Sequence, residues 1–174
     1  MKYKTFDEIA SEMLSNEKFL KLNQESHHGI TRMQHSMRVA RNVYKYSIKF
    51  NLDYISATRA AIVHDFFTNE EFGNNLGLIQ GVIHPDIALE NAKGEFPINE
   101  KEANMIESHM FPLSTVVPKS KEAWLLTAID KIIAIYEYAS NKFSPKRVRQ
   151  TLSHAGTFAF IFILYLISLS WIWL

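Results

Sequence analysis

The chain carries seven histidines, at positions 27, 28, 35, 64, 84, 109 and 154, and their settings differ. His64 and Asp65 fall inside the apolar string AAIVHDFF. A carboxylate there must be paired or coordinated, because a lone buried charge is too costly. Two arrangements satisfy it. One is an ion pair to Arg or Lys beside a core histidine; the other is a divalent cation that both side chains hold. Asp130 repeats the setting in LLTAIDKII. His35 lies one turn into a predicted helix, His84 directly before Pro85 at a predicted helix start, and His109 at a helix end. These two carboxylates and four imidazoles can hold two divalent ions with Asp65 bridging. Such a mixture of N and O donors suits Fe, Mn, Co, Ni or Zn better than Ca. The absence of Cys excludes a thiolate nucleophile, zinc-finger ligation and a disulfide framework.

The elements that must position these residues read as helices. Thr5 to Glu8 has the spacing of a capping box. Thr31 can cap a helix whose Met33, Met37, Ala40, Tyr44 and Ile48 recur every three to four residues. Asp53 precedes a third helix, YISATRAAIVHDFF, that carries His64 and Asp65. Residues Asn69–Gly81 are rich in Gly and Asn and predict a loop; Pro85 then starts a helix that stops at Gly94. Another helix covers Asn99–His109. The longest covers Ser120–Ser140, with Trp124, Leu125, Ala128, Ile132, Ile135 and Tyr136 as its apolar stripe. No segment alternates as a strand does. The expectation is an all-α domain of six or seven helices.

Its 174 residues favour one domain over two. A net charge of +1 argues against nucleic-acid binding driven by bulk electrostatics. All Lys, Arg, Asp and Glu residues lie at or before Arg149, and Ala155–Leu174 is uncharged. A helix of that length spans about 30 Å, the hydrocarbon thickness of a bilayer. Trp171 and Trp173 stand at its far end, and Lys142, Lys146, Arg147 and Arg149 just before it, which predicts a membrane anchor with the soluble part in the cytoplasm. The charged N-terminus has no apolar core of a signal peptide. The expected organisation is an N-terminal helical segment at 1–24, a domain at 25–143, and a linker with the anchor at 144–174.

The order His35, His64-Asp65, Asp130 resembles the HD-domain metal-dependent phosphohydrolases, an all-α superfamily. Three further features fit that likeness: Arg32 in R-x-x-H-S, His84 opening an HP-x-x-A string, and His109 followed by IDK. The likeness covers residues 25–140. It implies a helical bundle in which His35, His64, Asp65 and Asp130 bind one metal, while His84 and His109 bind a second that Asp65 bridges. It implies attack of a metal-bound water on phosphorus, with Arg32 holding a phosphate and Lys131 supplying charge. The implied activity is hydrolysis of a phosphomonoester or phosphodiester, of a nucleotide by preference. The alternative is a non-catalytic metal-binding or ligand-sensing module at the membrane. Where alarmone hydrolases of the superfamily read His-Asp-x-x-Glu-Asp, this chain has His64-Asp65-Phe66-Phe67-Thr68-Asn69, and it has no Gly-Tyr-Pro signature.

Overall fold

The computed structural model describes residues 3–27, 30–72 and 78–142. Seven α-helices are among them: α1 Phe6–Leu14, α2 Glu17–Lys21, α3 Arg32–Lys49, α4 Tyr54–Val63, α5 Leu78–Glu95, α6 Glu100–Ser108 and α7 Lys121–Lys142. A two-residue antiparallel ribbon, Ser26–His27 against Ile30–Thr31, precedes α3, and a 3-10 turn spans Asn69–Phe72. Among the described residues the regular structure is all helical apart from that ribbon, as the sequence predicts. The ribbon was not expected, and two residues per strand leave no alternation to detect.

Caps account for most helix starts. Thr5, Thr31 and Asn99 each close a full capping box with the residue three positions on. Asp53 caps α4 by accepting from the Ser56 backbone N–H at 3.1 Å. Such caps satisfy backbone donors that no helical carbonyl can reach.

Two expectations need correction. Pro85 does not open a helix: it lies inside α5, which starts seven residues earlier at Leu78 and runs past Gly94 to Glu95. A proline interior to a helix removes one ladder bond without forbidding the remainder, so His84 is presented from a helix interior. The predicted loop accordingly shrinks, and part of it is the 3-10 turn. The stripe predicted for α7 also faces the wrong way. Trp124, Ala128, Ile132, Ile135 and Tyr136 are exposed, and Leu125 is half-buried. The face turned inward carries Glu122, Ala123, Leu126, Thr127, Ile129, Asp130, Ile133 and Glu137.

Packing divides the chain into Met1–Glu137 and Tyr138–Leu174, and the centre described below belongs to the first unit. There α3 lies along α4, which also meets α1 and α6, and α6 lies against α5. The segment 1–24 shares this core through Phe6, Ala10, Met13, Phe19 and Leu22. Arg59 of α4 reaches Glu12 of α1, Glu102 of α6 and the Pro97 carbonyl, tying three parts together. Residues 143–174, which include the predicted anchor, lie outside the described residues. Among the described residues no helix is long and apolar enough to cross a membrane.

Candidate metal centre

Six side chains predicted from sequence converge. His35 comes from the first turns of α3, His84 from α5, and Asp130 from α7. His64 and His109 are the residues that close α4 and α6, and Asp65 follows His64 directly. A helix end is a natural place for such a ligand, because the chain leaves the helix and can aim its side chain inward. All six are at most 7% exposed.

The ligand atoms group around Asp65 and Asp130. His35 Nε2 lies 3.0 Å and His64 Nε2 3.4 Å from Asp130 Oδ1. On the other side, His84 Nε2 lies 3.3 Å and His109 Nε2 3.6 Å from Asp65 Oδ1, and the two imidazole nitrogens are 2.9 Å apart. Asp65 Oδ2 stands 3.9 Å from His64 Nε2, so the carboxylate faces both groups. The atoms offered by His35, His64 and Asp130 all lie within 4.8 Å of one another, as do those of His64, Asp65 and His109. Ions bound at about 2.0–2.2 Å keep neighbouring ligand atoms roughly 3 Å apart, the spacing seen here.

Tautomers decide what the rings can do. His64 Nδ1 is 2.8 Å from the Ala61 carbonyl and His109 Nδ1 is 2.6 Å from the Ile106 carbonyl. A carbonyl only accepts, so both Nδ1 atoms carry the proton, and in the neutral rings each Nε2 turns a lone pair to the centre. This is how metal-ligating imidazoles are held. His64 Nε2 and Asp65 Oδ1 are buried with no hydrogen-bond partner. Buried polar atoms are seldom left so; two orphans facing one another's neighbours fit a cation. Buried His and Asp groups here can hold a metal ion.

The electrostatics agree on the carboxylates. Burial alone would raise Asp65 and Asp130, but surrounding imidazoles hold both well below the usual range. Burial opposes protonation of His35, yet hydrogen bonds to Asp130 and Glu137 and the Asp65 charge push it up to about 10. His64 is raised, with burial outweighed by Asp65 and Asp130. Burial takes His109 down to about 4, so that ring is neutral.

The remaining candidates divide. Arg32 is buried: NH1 lies 3.9 Å from Asp65 Oδ2, NH2 donates to Asn69 at 3.1 Å, and the guanidinium stacks 3.6 Å over the Phe67 ring. Its fork is thus turned to Asp65 and Asn69, so the ion pair to Arg foreseen for Asp65 is present beside the cluster of imidazoles. Lys131 is not a free surface lysine, because it donates to the His109 carbonyl at 2.8 Å and stands 3.9 Å from Asp130. Phe66, Phe67 and Phe72 are buried in the core, and Phe111 packs on Trp124. The side chain of His27, and all of His28 and His154, lie outside the described residues. Glu137 was missed. It is 2% exposed and lies 2.7 Å from His35 Nδ1. The available signal was spacing: seven residues after Asp130 on one helix is two turns, hence the same face. No family model, curated protein or solved structure matches the chain.

Proposed function

We propose that the protein is an HD-type metal-dependent phosphohydrolase acting on a phosphomonoester or phosphodiester of a nucleotide. One observation carries the reading: six buried imidazole and carboxylate side chains meet, with His64 Nε2 and Asp65 Oδ1 left without hydrogen-bond partners among them. His35, His64, Asp65 and Asp130 would hold one divalent ion, of Fe, Mn, Co, Ni or Zn; Asp65, His84 and His109 would hold a second. Such ions supply Lewis-acid activation of water and neutralise charge on phosphoryl oxygens. The protein's own groups set the stage for that. The Ala61 and Ile106 carbonyls fix the aim of His64 and His109. Arg32 places a guanidinium 3.9 Å from Asp65, and Lys131 adds a positive charge beside Asp130. Phe67, against both His84 and Arg32, closes one wall to water. Membrane attachment through residues 155–174 belongs to the proposal on sequence grounds.

The engagement of Arg32 by Asp65 and Asn69 favours one other reading, a non-catalytic metal-binding or ligand-sensing module. Elemental analysis after metal-replete expression, with hydrolysis of a nucleotide panel by wild type and Asp65→Asn, tests both. Stoichiometric metal with turnover that Asp65→Asn abolishes is expected. Metal without turnover leaves the sensor; no metal ends both readings.

A further inference from the structure

His35 Nδ1 meets a carboxylate, whereas His64 and His109 Nδ1 each meet a carbonyl of their own helix end. Its Nε2 faces Asp130 Oδ1 at 3.0 Å, while Nδ1 lies 2.7 Å from Glu137 Oε2. The other Glu137 oxygen, Oε1, accepts from Arg38 NH1 at 2.7 Å. Glu137 is buried and the Arg38 side chain is 42% exposed. A buried carboxylate survives only when neutralised and hydrogen-bonded, and here an imidazole and a guanidinium do both.

Helical phase builds this arrangement from two segments. His35 and Arg38 are three residues apart on α3; Asp130 and Glu137 are seven apart on α7. Each spacing returns to one helix face. Ligand and support on α3 therefore meet ligand and support on α7. A carboxylate behind a metal-binding imidazole fixes its tautomer and orientation and raises its basicity. His64 and His109 receive a weaker version of this from backbone carbonyls.

We infer that Glu137 is a positioning residue for the ion subsite formed by His35, His64 and Asp130, with Arg38 holding Glu137 in place. The inference rests on the metal reading above. It separates the two subsites, because Glu137 touches neither Asp65, His84 nor His109 in any hydrogen bond or ion pair described. Its loss should weaken one ion and spare the other.

The test is titration of Co²⁺ into the metal-stripped full chain, followed by calorimetry and the visible absorption of the bound ion. Glu137→Gln keeps the volume and removes the charge. One Co²⁺ is expected to bind about 10–100-fold more weakly, with an altered absorption band, while the other binds as in wild type. Arg38→Gln, at a half-exposed position, is expected to weaken the same ion by a smaller factor. A Glu137→Gln protein with wild-type helical circular dichroism that binds both ions as wild type overturns the inference. So does an equal loss at both sites, which marks general destabilisation. If Glu137→Gln fails to fold, Arg38→Gln decides: selective weakening supports the assignment and unchanged binding overturns it. Wild type that takes up no Co²⁺ is a different failure, seen before any variant is compared; it removes the metal reading and this inference together.

Discussion

Helices α1 and α7 obey the same chemistry and look like opposites. In α1, Phe6, Ile9, Ala10 and Met13 point inward and Asp7, Glu8 and Glu12 outward. In α7, Glu122, Asp130 and Glu137 lie on the buried face while Trp124, Ile132 and Ile135 stand in solvent, the two isoleucines 63% and 65% exposed. The first arrangement follows from transfer of apolar surface out of water. The second trades that gain for a site: each inward carboxylate of α7 has a named partner, His35 and His64 for Asp130, His35 and Arg38 for Glu137, and the Asp53 N–H for Glu122. Local rules fail where a helix serves a site rather than the core alone.

The contrast is open to test. Asp130→Leu would give α7 one more apolar residue on its inner face and remove one of the candidate ligands. The proposed hydrolysis should fall by at least about 10³-fold, roughly 4 kcal/mol, and Co²⁺ binding should weaken while helical content persists. Retained activity would break the contrast at its centre. Met13→Ala, on the buried face of α1, should cost about 2–5 kcal/mol in denaturant unfolding and leave metal stoichiometry unchanged. Thr5→Ala, which removes the α1 cap, should cost about 1 kcal/mol by the same measurement. Ile132→Lys, on the outer face of α7, should change stability by less than about 0.5 kcal/mol. A loss there comparable to Met13→Ala would mean that the stripe is covered and that the two helices are alike after all.

The same comparison explains what could be read from sequence. Asp65 and Asp130 were legible because a charge amid Ile, Val, Leu and Ala demands a reason. The capped starts of α1, α3 and α4 were legible because capping is a local interaction over three or four residues. The inner face of α7 was not. Its apolar residues outnumber one helix face, so periodicity alone selected the larger set, Trp124 through Tyr136, over the set that contains the site. Glu137 stands between Tyr136 and Tyr138 and reads as an ordinary surface glutamate; only knowledge that Asp130 faces inward turns its spacing into information. The start of α5 was hidden by Pro85, whose usual role at helix openings outweighed the weaker evidence before it. The ring of Arg32, Asn69 and Phe67 around Asp65 depends on tertiary contacts that no local pattern encodes.

His64 and His109 each bond back three residues, to Ala61 and Ile106, from the last position of a helix. Their aim is thereby set within one turn of chain. Length changes in the connection between His64 and α5, or beyond His109, leave that aim intact. One residue inserted between Ala61 and His64, or between Ile106 and His109, rotates the imidazole by about 100° around the helix axis and carries it out of the centre. The aim of these two imidazoles is therefore bound, to the single residue, in the two short stretches that end α4 and α6, while the segment after His64 is tied to the centre through Asp65, Phe67 and Asn69.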